Sequence, residues 1–162
     1  AFGVLPAVMK LTPEEAVKQF LMGYTAKVAG TEKGVTEPQA TFSPCFGLPF
    51  MPRNPKLYGI KLKELVEKNN VGCWLVNTGW SGGPYGIGER MPIEVTRYII
   101  SLILDGSLAS CKTQIHDKTG FTVPLHSGID QKYIFPEQGW GSIDEYNKKL
   151  KVLLEKFAEQ GQ

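Results

Sequence analysis

Apolar residues recur three and four positions apart in four segments of the chain, which is the pattern of helices with one buried face. The first predicted helix begins after the capping residue Thr12, carries Pro13 in its first turn, and has Glu15 in position to close a capping box. It is predicted to end near Gly23, since glycine suits the left-handed conformation that follows a helix. Its apolar face is formed by Ala16, Val17, Phe20 and Leu21.

Three more helices follow from the same pattern. They are predicted to begin at Asn54-Pro55, near residue 92 and after Ser142, and the last two are predicted to end near residues 104 and 158. Ser142 and Glu145 form a second capping box. The predicted apolar faces of these helices are Tyr58, Leu62, Leu65 and Val66; Ile99, Ile100, Ile103 and Leu104; and Tyr146, Leu150, Leu153 and Phe157.

Strands are harder to find. The apolar run Cys73–Val76 has the length and composition of a buried, central strand. Residues 24–50 are rich in Gly, Thr and Pro and are predicted as a long loop, whereas residues 109–141 are predicted to be irregular with short strands such as residues 121–123. These elements predict one α/β domain, or part of one, over residues 1–162.

Composition excludes several functional classes. The chain of 162 residues has 18 basic and 16 acidic residues, and this near-balance without a basic stripe argues against a nucleic-acid or membrane partner. Its three cysteines are widely spaced and form no C-x-x-C pair, which argues against a disulfide framework and favours a reducing, cytoplasmic location. No apolar run reaches the length of a membrane span, and no signal peptide is visible.

A glycine-rich segment follows the predicted strand Cys73–Val76 and precedes the third helix. A strand, a glycine-rich loop and a helix form a layout in which the backbone approaches a ligand closely, and Arg90 places a cation at the exit of this loop. The segment matches neither the phosphate-binding P-loop nor G-x-G-x-x-G, so a long surface turn is the alternative. Trp80 and Tyr85 are expected either to stack on a base or to anchor the loop by packing. The glycines are Gly79, Gly82, Gly83, Gly86 and Gly88.

The two histidines predict no metal site. His116 and His126 are ten positions apart in the irregular region, without a carboxylate or cysteine at ligand spacing. We therefore expect structural or surface roles for both, and no metal ligand in this chain.

Three blocks of sequence resemble ATP-dependent phosphoenolpyruvate carboxykinase. Residues 76–97, Val-Asn-Thr-Gly-Trp-Ser-Gly-Gly-Pro-Tyr-Gly-Ile-Gly-Glu-Arg-Met-Pro-Ile-Glu-Val-Thr-Arg, resemble the nucleotide-site loop of that family. Residues 23–47, with Gly-Tyr-Thr-Ala-Lys-Val-Ala-Gly-Thr-Glu at their start and Cys-Phe-Gly at their end, are similar to a second signature stretch. The opening Ala-Phe-Gly-Val-Leu-Pro also fits, and the blocks stand in the order and spacing of the family.

The resemblance implies a fold and a set of site residues. The implied fold is the C-terminal portion of the family's mononucleotide-binding domain, a mixed sheet with flanking helices. Arg90 and Met91 match the positions that hold the adenine ring and ribose of ATP, and Thr96 matches another nucleotide contact. Residues 27–46 are expected to form an active-site lid or its support, with a rigid structural loop as the alternative; the polar residues to test there are Thr31, Glu32, Thr36 and Glu37.

The resemblance also implies an activity. These enzymes convert oxaloacetate and ATP to phosphoenolpyruvate, ADP and carbon dioxide, with Mg²⁺ and Mn²⁺ held near a P-loop. This sequence has no G-x-x-x-x-G-K-[ST], and Glu89 stands where a lysine is common. We therefore expect the chain to be catalytically inactive alone, with the metal ligands in a missing N-terminal part of the enzyme. The alternatives are a stand-alone nucleotide-binding or regulatory module and a purely structural or interaction fragment.

Overall fold

The computed structural model describes residues 2–27 and 38–160. Short 3₁₀ turns lie at Pro44–Phe46, Leu48–Phe50 and Pro136–Gly139. The strands and helices in chain order are β1 (Val8–Leu11), α1 (Pro13–Met22), β2 (Tyr24–Lys27), β3 (Gln39–Phe42), α2 (Pro55–Asn69), β4 (Cys73–Val76), β5 (Trp80–Ser81), β6 (Glu89–Arg90), α3 (Ile93–Leu104), α4 (Ser107–Ser110), β7 (Thr113–Ile115), β8 (Thr122–Pro124), α5 (Gln131–Ile134) and α6 (Ile143–Gln160).

Contacts within the chain define two compact units. The first unit contains the described residues of 11–73 together with 155–160, and the second contains residues 2–10 and 74–154. The prediction that residues 1–162 form one domain stays a prediction.

Helix α1, in the first unit, has the predicted ends. The Thr12 hydroxyl accepts a hydrogen bond from the Glu15 amide at 3.2 Å, and the Glu15 carboxylate accepts one from the Thr12 amide at 2.8 Å. Gly23 ends the helix in the left-handed region with φ of +58°. The capping box and the terminal glycine are therefore both confirmed, because each depends only on residues within one turn.

The prediction of one long loop over residues 24–50 is wrong for the part that the structure describes. Strands β2 and β3 pair antiparallel, with Tyr24 opposite Phe42. The Tyr24 ring also packs edge-on against Phe157 with 5.0 Å between ring centroids. Both strands alternate apolar and polar residues, Tyr-Thr-Ala-Lys and Gln-Ala-Thr-Phe, but four alternating positions within a segment rich in Gly, Thr and Pro are a weak signal. The four residues assigned to a lid lie outside the described residues: Thr31, Glu32, Thr36 and Glu37.

Helix α2 begins where predicted, with the Asn54 side chain accepting a hydrogen bond from the Lys56 amide at 2.9 Å. Its predicted apolar face is only partly correct, because Val66 is buried whereas Leu65 is exposed. Gly59 is also buried, and a Cβ added there would lie 3.1 Å from the Leu21 side chain. Because Gly59 has no side chain, Leu21 of α1 can pack closely against α2 at this position, and this contact lies on the buried face of α2.

The second unit is built on a four-stranded sheet with the order β4-β1-β8-β7. Strand β8 pairs antiparallel with both β1 and β7. Helices accompany this sheet in the same unit, so the predicted α/β class is confirmed. The buried core of this unit includes Val4, Val8, Met9, Ile99, Leu108, Val123, Ile134, Tyr146 and Leu153.

Three details of this unit differ from the prediction. Strand β4 is formed as predicted, but it lies at an edge of the sheet and its four residues are only half-buried, so it is not a buried central strand. The region predicted as irregular contains β7, β8 and α5, with β8 displaced by one residue from the expected strand. In α3 the residues Ile100 and Leu104 are exposed, whereas Leu102 is buried.

The side chain of His116 is buried and has hydrogen-bond partners on both ring nitrogens. Its Nδ1 lies 2.9 Å from the Thr119 hydroxyl and its Nε2 lies 3.0 Å from a Glu137 carboxylate oxygen. Its ring stacks on Phe135, and its backbone closes the turn between β7 and β8 by accepting from the Gly120 amide. His116 therefore joins this turn to the segment that follows α5.

We expect alkaline pH to destabilise the chain through two tyrosines. Burial raises the pKa of Tyr24 to about 12, and burial, with the Glu137 carboxylate as a smaller cause, raises the pKa of Tyr146. A tyrosine in the unfolded chain has a pKa of about 10. Above that pH the folded chain therefore binds more protons than the unfolded chain, because its buried tyrosines stay protonated. The stabilisation is complete below about pH 10 and is lost as pH rises towards about 12.

Urea unfolding across this range, with tyrosinate absorbance recorded in parallel, measures the effect. The double variant Tyr24→Phe/Tyr146→Phe should show a shallower fall in the free energy of unfolding. An equally steep fall in that variant would assign the pH dependence to other groups.

Cys45, Cys73 and Cys111 are free thiols, and burial raises the pKa of Cys45 and Cys73. Among residues 2–27 and 38–160, no helix combines the length and the apolar content needed to cross a bilayer.

Candidate functional site

The glycine-rich segment forms a β-hairpin rather than an open loop. Strands β5 and β6 pair antiparallel, with Trp80 opposite Arg90 and Ser81 opposite Glu89. Asn77 fixes the start of the segment, since its amide donates to the Ala7 carbonyl at 2.9 Å and its side chain donates to the Leu5 carbonyl at 3.0 Å. The hairpin is therefore held on the buried N-terminal segment of the second unit.

A cleft of about 250 Å³ lies between this hairpin and the segment around α5. One wall is formed by the hairpin and the residues directly after it, and the other by Lys132, Tyr133 and Gly139. The Tyr133 carbonyl accepts a hydrogen bond from the Ala7 amide at 2.7 Å, so both walls are tied to the same buried segment. The hairpin wall consists of Ser81, Gly82, Ile87, Gly88, Glu89, Arg90, Met91 and Pro92.

Gly82 lies close to the facing wall of the cleft. Its φ is +74°, and a Cβ added there would lie 3.1 Å from the Gly139 carbonyl oxygen. We expect Gly82→Ala to lower the free energy of unfolding by about 1–3 kcal/mol, because the backbone is strained for alanine and the walls must separate. Gly86→Ala is the matched control, since Gly86 also has a positive φ, of +86°, but its added Cβ would meet nothing within 4 Å. Equal losses in melting temperature for the two variants would show that the approach to Gly139 adds nothing.

Arg90 stands on the hairpin wall, where it is exposed. Its guanidinium carbon lies 5.9 Å from the centroid of the Trp80 ring, within cation–π range. Trp80 in turn packs edge-on against Tyr85, with 5.7 Å between ring centroids. The two aromatic residues therefore pack within the hairpin, and Trp80 supports the side chain of Arg90.

The structure brings two of the three predicted nucleotide-binding residues into the cleft. Met91 is buried, lines the cleft beside Arg90, and donates its backbone amide to the Gly79 carbonyl at 2.9 Å. Thr96, in α3, is not among the described residues that line the cleft. Its hydroxyl lies 3.9 Å from the Met91 sulfur, to which it donates a weak hydrogen bond.

Sequence reasoning missed the opposite wall. The Lys132 ammonium lies 5.2 Å from the Tyr133 ring centroid and 3.9 Å from an Asp130 carboxylate oxygen. Lys132 and Arg90 are the basic residues among those that line the cleft, and Glu89 is an acidic one. The capping residue Asp130 predicts the start of a short helix, but no local signal pairs that helix with a hairpin about forty residues earlier.

The arrangement is suited to binding a planar or anionic ligand. Arginine stacks on flat rings and grips anionic oxygens, and lysine adds a point charge on the facing wall. Among the residues that the structure describes, no group of three or more His, Cys, Asp or Glu side chains is close enough to hold a metal ion.

Comparison with known proteins identifies the family. Residues 1–132 match the family profile described as phosphoenolpyruvate carboxykinase. The phosphoenolpyruvate carboxykinase (ATP) of Sinorhizobium fredii is 56% identical over 158 residues, covering 97% of this chain and 30% of that relative. The protein of the same name in Brucella suis biovar 1 is 52% identical over 158 residues, with the same shares. The chain belongs to the ATP-dependent phosphoenolpyruvate carboxykinase family, and it spans about 30% of the length of the curated relatives it matches.

Proposed function

We propose that this chain is the C-terminal, nucleotide-site portion of an ATP-dependent phosphoenolpyruvate carboxykinase. The whole enzyme would convert oxaloacetate and ATP to phosphoenolpyruvate, ADP and carbon dioxide in gluconeogenesis. The observation that carries the proposal is that Arg90 and Met91, the positions that resemble the family's adenosine contacts, are adjacent on one wall of the same cleft.

The cleft is proposed to receive the adenosine end of ATP. Clefts for drug-sized ligands measure about 300–1,000 Å³, so a space of this size suits a purine with its ribose better than a whole nucleoside triphosphate. The planar guanidinium of Arg90 can lie against the purine, and the Met91 thioether supplies an apolar surface beside it. Thr96 then acts as a positioning residue, because its hydroxyl contacts the Met91 sulfur.

The remaining chemistry is proposed to lie elsewhere in the longer polypeptide. When bound, ATP supplies the phosphoryl group, and the divalent metals Mg²⁺ and Mn²⁺ neutralise its charge. This chain contains no P-loop sequence, and its described residues bring no metal-binding group together. Its own residues bind and orient the nucleoside. The lid role of Thr31, Glu32, Thr36 and Glu37 stays a prediction.

Calorimetric titration of the purified chain with adenosine, ADP and ATP tests the proposal. We expect all three ligands to bind weakly and with affinities within about tenfold of one another, because the contacts to the phosphates are missing. A lack of response to all three would identify a structural piece. ATP binding more than about a hundredfold tighter than adenosine would indicate a complete phosphate site and a stand-alone nucleotide-binding module.

An activity assay tests the second part of the proposal. We expect the isolated chain to form no phosphoenolpyruvate from oxaloacetate and ATP with Mg²⁺ and Mn²⁺ present. Turnover by the wild-type chain that Arg90→Ala abolishes would contradict the expected inactivity.

A further inference from the structure

The imidazole of His116 is held at both of its ring nitrogens, although the binding of a nucleoside gives it no role. The side chain is 1% exposed. Because a carboxylate only accepts hydrogen bonds, we assign the ring proton to Nε2, which donates to Glu137 at 3.0 Å. The Thr119 hydroxyl, 2.9 Å from Nδ1, can donate to the other nitrogen. The ring therefore cannot turn without leaving a buried polar group unpaired.

The partners of His116 lie on two separate parts of the second unit. Thr119 belongs to the turn between β7 and β8. Glu137 lies in the 3₁₀ turn Pro136–Gly139, and Phe135 directly precedes that turn. The imidazole stacks on Phe135 with 5.9 Å between ring centroids. His116 thus connects a turn of the sheet to the segment after α5 through one hydrogen bond and one ring contact.

This segment carries the facing wall of the cleft. Tyr133 lines the cleft on one side of the imidazole contacts, and Gly139 lines it on the other. A Cβ added at Gly139 would lie 3.4 Å from the Gly82 Cα, so the facing wall comes close to the hairpin here. The Glu137 carbonyl accepts from the Trp140 amide at 3.3 Å, which encloses Gly139 in a turn that begins at Glu137. A displacement of Glu137 would therefore move Gly139 as well.

Stability alone is a poor explanation for the pair formed by His116 and Glu137. A buried polar or ionic pair commonly stabilises a protein no better than apolar side chains of the same volume, because both groups lose their water. Such a pair does restrict geometry, since each buried group must keep its partner. This restriction applies two residues before Gly139, where the distance between the cleft walls is set.

We propose that His116 is a positioning residue for the cleft. Its hydrogen bond to Glu137 holds the facing wall at the distance from the hairpin that a purine with its ribose requires. The inference rests on the proposed function in one respect, that the cleft receives a nucleoside. His116 is not among the described residues that line the cleft, so it acts through Glu137 and touches no ligand.

Two substitutions of His116 separate positioning from packing. Glutamine places an amide N–H near the site of Nε2 and can still donate to Glu137, whereas asparagine places its amide near Nδ1 and reaches only Thr119. Both variants lose the ring, so both should lower the melting temperature by similar amounts. We expect His116→Asn to weaken adenosine binding about tenfold and His116→Gln about threefold or less, as measured by isothermal titration calorimetry. Thr119→Val is the control for the other hydrogen bond and should lower the melting temperature without changing the affinity.

A measurement without ligand tests the position of the wall itself. A nuclear Overhauser cross-peak between the α-protons of Gly82 and Gly139 reports their close approach in the wild-type chain. His116→Asn and Glu137→Ala should weaken or abolish this cross-peak, and His116→Gln should retain it. Glu137→Ala removes the same hydrogen bond from a side chain that is 22% exposed, so it decides the question if His116→Asn folds poorly.

Equal losses of adenosine affinity in the asparagine and glutamine variants of His116 would overturn the proposal, and so would an equal loss in Thr119→Val. A cross-peak between Gly82 and Gly139 that survives in both His116→Asn and Glu137→Ala would also overturn it. A wild-type chain that does not bind adenosine, but loses the cross-peak in His116→Asn, would reject the proposed function and still support the positioning of the wall.

Discussion

Replacing Arg90 with alanine is expected to weaken adenosine and ADP binding to this chain by about tenfold to a hundredfold. Arg90 lines the hairpin wall of the cleft, and its guanidinium carbon lies 5.9 Å from the centroid of the Trp80 ring. Removing it takes away both a flat surface for the purine and a charged hydrogen-bond donor, and because Arg90 is exposed the two together are worth about 1.4–2.7 kcal/mol. Isothermal titration calorimetry of the wild-type and variant chains measures the change.

Two further variants make this result specific. Arg53→Ala removes an exposed arginine of the first unit and should leave binding unchanged. Arg90→Lys keeps the charge but loses the planar group, so it should recover only a small part of the affinity for adenosine. Full recovery with lysine would show that Arg90 acts only as a charge, and an unchanged affinity in Arg90→Ala would remove the residue from the site.

Tyr146→Ala is expected to lower the free energy of unfolding by about 3–5 kcal/mol. The side chain of Tyr146 is fully buried, its hydroxyl donates to the Val4 carbonyl at 3.0 Å, and its ring packs edge-on against Trp140 at 5.6 Å. Trp140 donates its indole N–H to the Gly3 carbonyl at 2.8 Å, so both aromatic residues hold the N-terminal segment. Urea denaturation followed by far-ultraviolet circular dichroism measures the loss.

Tyr146→Phe separates the ring from the hydroxyl. It removes one hydrogen bond and leaves the Val4 carbonyl unpaired, so we expect a loss of about 1–3 kcal/mol, clearly smaller than that of alanine. If phenylalanine costs as much as alanine, the hydrogen bond rather than the packed ring is the main contribution. If alanine costs less than about 1 kcal/mol, the assigned core of the second unit is wrong.

Local signals in the sequence predicted the helices well. The capping box at Thr12 and Glu15, the cap at Asn54 and the glycine at Gly23 each act within one turn, and the structure has the helix ends that they indicate. Helix α6 extends two residues beyond its predicted end, to Gln160, and the stop signal in the sequence is the glycine that follows at position 161. These features need no knowledge of the rest of the fold.

Long-range features were not predictable in the same way. The β-hairpin of Trp80 and Arg90 has two-residue strands, too short for any periodic signal. Hydrogen bonds to the buried N-terminal segment, which is distant in sequence, hold both the hairpin and the facing wall with Lys132. In α3 apolar residues occur on more than one side of the helix, so the sequence could not tell that Leu102 is buried and Leu104 is exposed.

The most direct test of the central claim is an intermolecular nuclear Overhauser measurement on this chain with saturating adenosine. We predict cross-peaks from the purine protons to the Met91 methyl group and to the Arg90 side chain, because both residues line the cleft. Cross-peaks only to Val17 or Leu21, which line a separate groove in the first unit, would place the ligand elsewhere and contradict the assignment of the cleft.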